Sequence, residues 1–272
     1  MLTLEAVGYR YAGAQQLSLQ EVSLDLRDGE VVGLVGASES GKTTLCLVAS
    51  GLAPRTVRGR LYGRVLLDGV DAAPLGMDQI AARIGIAFAS PATQLSGVSG
   101  TVYEEVAFGP MNLGLPLADV IERTDGALAA LRIEALADRD PFRLSGGQQQ
   151  LVAIAGLHAM RPAHLVLDEP TAQLDPAGTA MVAEALARLA HDGASILVAE
   201  HKTDILAGIC SRVVALEAGR VVIDGPATEV LSDPRLQELG VAPPAIVRLE
   251  RAAREGRLPA PALARLAKAL AQ

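Results

Sequence analysis

The chain has 272 residues, half of them hydrophobic and 20% charged, and a net charge of −7. This is enough for one large domain or two small ones, and without a basic block it weighs against a nucleic-acid-binding face. No apolar run approaches the ~20 residues of a membrane span, and the first residues, MLTLEAVGYRY, lack the form of a signal peptide, so we predict a cytoplasmic chain.

The first elements in chain order are two half-buried strands, because residues 2–7 and 22–26 alternate apolar and polar side chains. Two tyrosines, Tyr9 and Tyr11, lie between them. Ahead of the next strand, such a tyrosine either packs in the sheet or stacks on an adenine, and both alternatives stay open. The Asp28-Gly29 pair predicts a hairpin-like turn into that strand.

A phosphate-binding loop is predicted next, within VVGLVGASESGKTT at residues 31–44. The loop has the spacing G-x-x-x-x-G-K-[ST] between a buried strand and a helix, a context that weighs against a simple Gly-rich turn with a solvated lysine. Glycines let the backbone N–H groups converge on phosphates, Lys42 reaches the β- and γ-phosphates, and the Thr43 hydroxyl is placed to bind Mg²⁺. The predicted nucleotide contacts of this loop are Gly36, Ala37, Ser38, Glu39, Ser40, Gly41, Lys42, Thr43 and Thr44.

One residue of this loop, Glu39, is unusual because it brings a carboxylate close to the expected phosphates. Directed inward, it would repel a nucleotide. We therefore expect its side chain to point outward.

After strands predicted at 59–69 and 83–88, the pattern becomes helical from about residue 91 to 160. We interpret this stretch as a helical subdomain inserted into an α/β core. It ends in RLSGGQQQLVAIAGL, where Ser145 is an N-cap candidate and Gly146 and Gly147 begin a helix. This end is either a capped helix or a second anion-binding site.

Two later strands end in chemically active side chains. HLVLDEP, at residues 164–170, places Asp168 where it can hold Mg²⁺ and Glu169 where it can orient or deprotonate a water. SILVAEH, at 195–201, ends in His201, a candidate donor to a γ-phosphate. The remaining histidines are predicted to be structural or surface residues: His158, His164 and His191. The two isolated cysteines, Cys46 and Cys210, are predicted to be reduced core residues.

The last part of the chain predicts a closing hairpin, from strands at 212–216 and 220–223, and a helical tail. One amphipathic helix is expected at about 245–255, with Ile246 and Leu249 on one face, and another after Pro261. This tail either caps its own domain or packs on a partner chain.

Taken together, five motifs resemble the ATP-binding cassette (ABC) ATPases. GASESGKTT resembles Walker A, LSGGQQQ the signature motif and LVLDEP Walker B; AQLD, ending at Asp175, resembles the D-loop, and His201 the switch histidine. The resemblance covers about residues 1–240. TVYEEVAFGPMNLGLP, AIAGLHAMRP and the C-terminal extension further resemble the ATPase subunits of energy-coupling factor (ECF) importers, which take up vitamins and transition-metal ions.

This resemblance implies an α/β fold: a P-loop NTPase (RecA-like) core with an antiparallel β subdomain, the inserted helical signature subdomain and a short helical extension. It implies an ATPase domain over 1–225 and an extension over 226–272. It also implies ATP and Mg²⁺ as cofactors, with Lys42, Glu169 and His201 as catalytic residues, Thr43 and Asp168 as metal ligands, and Tyr11 at the nucleotide.

The resemblance also implies partners. Two ATPase chains would face each other head to tail, as a homo- or heterodimer, and Ser145, Gly146, Gly147 and Asp175 would contact nucleotide across the interface. A transmembrane coupling subunit and a substrate-binding membrane subunit would complete an importer, with this chain peripheral on the cytoplasmic face and no nucleic acid bound.

Two departures from the family pattern leave alternatives open. Ala89 replaces a glutamine that usually senses Mg²⁺, and Glu39 replaces a usual glycine. Gln94 more closely matches a separate glutamine of the importer branch, and we keep it as a candidate partner-interface residue. The chain is therefore either a full ATPase or a weakly hydrolysing half of a heterodimer. A soluble cassette ATPase would need a coiled-coil insertion or a basic face, which the sequence lacks.

Overall fold

A computed structural model describes residues 1–257 of the chain. Within these residues, ten strands are interspersed with helices and connecting turns. The strands are β1 (Leu2–Tyr11), β2 (Leu19–Leu26), β3 (Val31–Val35), β4 (Gly59–Leu67), β5 (Val70–Asp71), β6 (Ile84–Ala87), β7 (His164–Asp168), β8 (Ser195–Ala199), β9 (Arg212–Glu217) and β10 (Arg220–Pro226).

The described part of the chain also contains α-helices of four to sixteen residues. They are α1 (Lys42–Ala49), α2 (Leu52–Arg55), α3 (Met77–Ala81), α4 (Val102–Asn112), α5 (Leu117–Leu131), α6 (Gly146–Ala159), α7 (Pro176–His191), α8 (Thr203–Ile209), α9 (Ala227–Ser232), α10 (Arg235–Glu238) and α11 (Ala245–Arg254). Helix α11 confirms the helix predicted at 245–255, and the helix predicted after Pro261 lies outside the described residues.

The strands form two sheets. An antiparallel sheet has the order β2-β1-β4-β5, and a six-stranded sheet has the order β10-β9-β3-β8-β7-β6. In the larger sheet, β3, β6, β7, β8 and β9 run parallel, while β10 closes the edge as an antiparallel hairpin with β9. The predicted α/β core, antiparallel sheet and closing hairpin are therefore confirmed.

The larger sheet is the middle layer of the molecule, which explains why its central strands are apolar throughout. Val31 and Val35 of β3 face a core shared with the helices α4 to α7. Val32 and Leu34 of the same strand face a second core, shared with α1 and the antiparallel sheet.

The predicted hairpin-like turn at Asp28-Gly29 is wrong, because β2 and β3 belong to different sheets. Strand β2 alternates buried and more exposed residues, whereas all five residues of β3 are buried. A strand buried on both faces is satisfied only inside the larger sheet, so the chain crosses between sheets at this turn.

The helical pattern predicted over 91–160 corresponds to α4, α5 and α6, which pack on each other through side chains that include Val106, Leu128 and Leu151. Capping boxes fix the start of two of these helices, with Thr101 and Glu104 at α4 and Ser145 and Gln148 at α6.

The two cysteines are free thiols, with Cys46 buried and Cys210 partly buried. Burial raises the pKa of Cys210 to about 12. In the described part of the chain, none of the helices combines the length and apolar character of a membrane span.

Candidate functional site

The candidate site lies at the carboxyl ends of three neighbouring parallel strands. Strands β3, β8 and β7 are adjacent, and both Leu34 and Asp168 are in register with Ala199. This register places the Gly36–Gly41 loop, Glu169 and His201 side by side, although they are distant in sequence. Ligands of open parallel sheets bind at this edge.

The loop after β3 depends on two glycines in conformations that other residues rarely adopt. Gly36 has a φ of 153° and Gly41 a φ of 108°. A Cβ at Gly36 would also collide with the Leu216 carbonyl and the Ser40 side chain. The loop therefore folds tightly back to the first turn of α1, as the sequence motif predicts.

Glu39 adopts the left-handed conformation, with a φ of 66°. Its side chain is exposed at the rim of the cleft, as expected. A residue with a Cβ pays about 1–2 kcal/mol for this conformation, and a glycine does not. Glu39 therefore adds both strain and negative charge to the loop.

The Lys42 side chain is held inside the loop. Its Nζ donates hydrogen bonds to the Gly36 carbonyl (2.9 Å) and the Ala37 carbonyl (3.0 Å). Burial lowers the pKa of Lys42, and the negative charges of Glu169 and Asp168 oppose this shift. A buried ammonium that has only carbonyl oxygens as hydrogen-bond partners is suited to an anionic ligand.

Thr43 and Asp168 bring two side-chain oxygens together beside this lysine. The Thr43 hydroxyl donates to Asp168 Oδ1 at 3.2 Å. Burial raises the pKa of Asp168, while the hydrogen bond from Thr43 partly offsets the shift. Hydroxyl and carboxylate oxygens are the donors that Mg²⁺ prefers, so the two residues fit that ion.

Glu169 and His201 face each other across the ends of β7 and β8. His201 Nε2 lies 3.0 Å from Glu169 Oε1. Glu169 has a φ of 53°, and its backbone N–H donates to the Ala199 carbonyl (2.9 Å), which fixes this turn against β8. The Glu169 carboxylate can orient a water by accepting a hydrogen bond from it, and can then accept its proton.

Four residues to which the sequence analysis gave no role support this pair. Glu200 is 2% exposed and accepts hydrogen bonds from the Thr171 hydroxyl and from the backbone N–H of His201 (2.8 Å). Lys202 Nζ donates to the Thr171 carbonyl and the Thr179 hydroxyl, both at 2.8 Å. In the sequence, Glu200 could have been found as a carboxylate that directly follows the mostly apolar strand β8.

These groups open into a cleft of about 900 Å³. The structure brings together in its lining Lys42, Thr43, Glu169 and His201, and adds a segment that the sequence analysis did not assign. That segment contributes Ala14, Gln15, Gln16, Leu17, Ser18 and Gln20.

Tyr11 lies beside this cleft rather than in its lining. Its hydroxyl shares a hydrogen bond with the Thr44 hydroxyl (3.0 Å), and its ring packs edge-on against Tyr9, with 5.0 Å between the centroids. Of the two alternatives for this tyrosine, packing in the sheet fits the structure, because both the hydroxyl and the ring of Tyr11 contact protein.

The signature residues are not brought to the cleft. Ser145 caps α6 and is exposed together with Gly146, while Gly147 packs so closely on Gly178 that a Cβ at Gly147 would lie 2.6 Å from the Gly178 Cα. Asp175 caps α7 by accepting from the Gly178 N–H at 2.7 Å. The signature and D-loop residues therefore form a second unit, separate from the phosphate loop.

Gln94 was kept as a candidate partner-interface residue, but its carboxamide bonds within the chain. It accepts from the Phe88 N–H (2.9 Å) and donates to the Phe88 carbonyl (3.1 Å). Gln150 also donates to that carbonyl, at 3.3 Å. Gln94 therefore fixes the end of β6 just before Ala89.

Comparison with known sequences agrees with this geometry. A family model described as ABC transporter matches residues 19–172. The cobalt import ATP-binding protein CbiO of Rhodobacter capsulatus is 39% identical, over 92% of this chain and 87% of its own length. A putative ABC transporter ATP-binding protein of Methanosarcina mazei is 37% identical over 92% of this chain, which spans only 43% of that relative.

Solved structures have the same fold. CbiO1 from Clostridium perfringens, described as part of the ABC transporter complex CbiONQ, has a TM-score of 0.77 and 33% identity, over 92% of this chain and 98% of that one. A dimeric ATP-binding cassette in a post-hydrolysis state, bound to ADP and Pi, has a TM-score of 0.69 and 26% identity, over 84% of this chain and 99% of its own.

Proposed function

Because the chain belongs to the ABC transporter family, we propose that it is the ATP-binding and ATP-hydrolysing subunit of an ECF-like importer of a vitamin or transition-metal ion. The observation that carries this proposal is the assembly of Lys42, Thr43 and the Glu169–His201 pair in the lining of one cleft, with Asp168 bonded to Thr43. The CbiO relative, named for cobalt import, supports the metal-ion side of the substrate class.

Phosphate binding is the first role of this chain's residues. The backbone from Gly36 to Thr44 surrounds the phosphates, and Lys42 exchanges its two carbonyl partners for phosphate oxygens. The exchange leaves the ammonium paired, which compensates for its burial.

Thr43 and Asp168 would hold Mg²⁺ through their oxygens. When bound there, the ion would supply positive charge that offsets the charge of the phosphates. Asp168 is suited to this role because a cation would favour its ionised form, which burial alone disfavours.

Glu169 is proposed to orient the attacking water and to accept its proton at the carboxylate. His201 Nε2, 3.0 Å from Glu169 Oε1, fixes that carboxylate, and both side chains line the same cleft as Lys42. In this arrangement Glu169 and His201 act as one unit.

A second cassette chain is proposed to complete each site. Ser145 and Gly146 are exposed, begin a fourteen-residue helix and lie outside the cleft of their own chain. Acting on a partner's nucleotide, they and Gly147 would direct helix N–H groups at a phosphate, with Asp175 at the same interface. The dimeric cassette that carries ADP and Pi supports this arrangement.

Transmembrane coupling and substrate-binding subunits are proposed as further partners, with this chain peripheral to the membrane on its cytoplasmic side. Exposed apolar side chains on the helical subdomain support a docking face: Met111 is 63% exposed and Leu117 is 74% exposed, with Phe108 nearby on α4. We propose that residues 1–225, with the insertion at 91–160, act as the ATPase unit, and 226–272 as an extension.

The second candidate function, a weakly hydrolysing half of a heterodimer, is supported by two observations in the site. Glu39 strains the phosphate loop, and Ala89, beyond the end of β6, offers no side-chain oxygen for a metal. Both candidates bind ATP, so turnover distinguishes them.

The test is steady-state ATP hydrolysis by the purified chain with Mg²⁺, beside Glu169→Gln. We expect the variant to lose turnover by ~10²–10⁴-fold while keeping ATP affinity, because the amide accepts no proton. Glu184→Gln, on the exposed side of α7, is the matched control. Absent turnover in the parent chain, with ATP bound, would contradict the first proposal and favour the second.

A further inference from the structure

The segment that follows His201 is bonded to the C-terminal part of the chain. Thr203 is 3% exposed, and its hydroxyl donates to the Ala242 carbonyl at 2.7 Å. One residue on, Asp204 Oδ1 accepts from the Ala245 N–H, also at 2.7 Å. These two bonds hold the first turn of α8 to residues 240–245, which we term the 240–245 turn.

Packing also holds the first residues of the 240–245 turn. Val241 is buried in the same core as Leu206 of α8. Gly240, with a φ of 73°, brings the turn against the phosphate loop, where a Cβ at Gly240 would lie 3.5 Å from the Ala37 Cβ. The turn therefore contacts both the phosphate loop and the segment that carries His201.

The other side of the His201 segment is also bonded. Glu200 accepts the N–H groups of His201 (2.8 Å) and Lys202 (3.1 Å), and Lys202 Nζ connects to Thr171 and Thr179. The backbone that carries His201 thus lies between the Glu169–Thr171 turn and the 240–245 turn.

We propose that Thr203 and Asp204 are positioning residues, through which the 240–245 turn sets the geometry of His201 against Glu169. The inference deepens the proposed function, since it rests on ATP hydrolysis at the Glu169–His201 pair. Neither residue lines the cleft, so they act on the reaction through the backbone segment that they share with His201. A movement of the C-terminal helices would in this way change turnover.

The test uses the full chain and two pairs of variants. Thr203→Val removes the donor and keeps the shape, while Thr203→Ser keeps the donor; Asp204→Ala removes the acceptor, while Asp204→Asn keeps one. We expect Thr203→Val and Asp204→Ala to lower kcat for MgATP by about five- to tenfold, the effect of losing one or two hydrogen bonds, with KM almost unchanged. Thr203→Ser and Asp204→Asn should have kcat values close to that of the parent chain.

Two further measurements separate positioning from a general structural effect. In a His201→Ala background, Thr203→Val should cause no additional loss, because the residue it positions is gone. Thr228→Val, at an exposed position of α9, and Asp78→Ala, at an exposed position of α3, are matched controls that should leave kcat and the melting temperature almost unchanged.

Hydrogen exchange at the His201 and Lys202 amides measures the linkage without turnover. Exchange should be faster in Thr203→Val and Asp204→Ala than in the parent chain, and normal in the Ser and Asn variants. Unchanged kcat and exchange, or a loss that is additive with His201→Ala, would overturn the inference. A parent chain without turnover would overturn the proposed hydrolysis instead, and exchange alone would then decide the linkage.

Discussion

The cleft at the strand ends and the N-terminal end of α6 are built in contrasting ways. In the cleft, side chains from β7, β8 and the phosphate loop already contact one another, as in the Thr43–Asp168 and Glu169–His201 pairs. At α6, Ser145 bonds only within its own capping box and faces solvent. One region is assembled by a single chain, whereas the other offers free helix N–H groups.

This difference suggests separate roles for the two regions: the cleft binds the ligand, and the α6 end acts on the ligand of a second chain. The cleft can bind and orient an anionic ligand, but its open side leaves that ligand accessible to water. A helix N-terminus delivered by a second chain would close that side. We therefore expect changes in the two regions to complement each other when they are carried by different chains.

The largest expected effect tests this division directly. In dimers of this chain, Lys42→Ala disables the cleft and Ser145→Arg disables the α6 end, so each variant alone should lose almost all turnover. An equimolar mixture should recover about a quarter of the parent rate, since half the dimers then contain one intact composite site. Steady-state hydrolysis of the mixture, with dimer formation checked by light scattering, is the measurement.

The control for this experiment replaces a second helix cap. Thr101→Arg removes the N-cap of α4, which has the same kind of capping box, and should lower stability by about 1 kcal/mol without a comparable loss of turnover. If the mixture of Lys42→Ala and Ser145→Arg stays inactive although mixed dimers form, Ser145 does not act in trans.

A smaller effect sharpens the comparison within the cleft. Asp168→Asn should lower turnover but raise the melting temperature by about 2–4 °C, because it removes a buried charge and keeps the Thr43 hydrogen bond. Thermal unfolding and ATP hydrolysis of the same preparations measure both effects. A variant that is both inactive and less stable would contradict this account of the carboxylate.

The stability gain of Asp168→Asn should also depend on pH. Burial raises the folded-state pKa of Asp168 above its ordinary value of 3.8, so its ionisation destabilises the fold. The cost is fully present above the raised pKa and disappears as the pH falls toward 3.8. Urea unfolding should therefore show a large difference between parent and variant at pH 7 and a small one near pH 4.

The smallest effect concerns Glu39, at the rim of the cleft. Glu39→Gly removes both the left-handed strain and the charge, whereas Glu39→Gln removes only the charge. We expect ATP affinity to rise about two- to fivefold in both variants, because an exposed charge contributes little more than that. Calorimetric titration of ATP at low and high salt is the measurement. A rise in affinity that is seen in Glu39→Gly but not in Glu39→Gln would come from the backbone conformation and not from the charge.

Several features of the fold followed from local patterns. The apolar run at 31–35 and the motif after it predicted a strand, a tight loop and a helix, and β3 and α1 confirm them. The hairpin at 212–223 was predicted from two short, mostly apolar strands on either side of Gly219, and the helix at 245–255 from its amphipathic pattern. The hairpin predicted at Asp28-Gly29 was wrong, because the two turn residues do not indicate which sheet the next strand joins.

The sequence by itself determined the chemistry of the chain: contiguous residues encode the phosphate loop, and Asp168, Glu169 and His201 lie at or just beyond the ends of short, mostly apolar runs that predict buried strands. Only the tertiary structure decided which of these groups meet. The parallel register of β3, β8 and β7 brings Glu169 to His201, and packing of the C-terminal turn brings Ala242 and Ala245 to Thr203 and Asp204. Such contacts join residues 32 to 41 positions apart, a distance over which no local period in the sequence extends, so long-range packing alone fixes them.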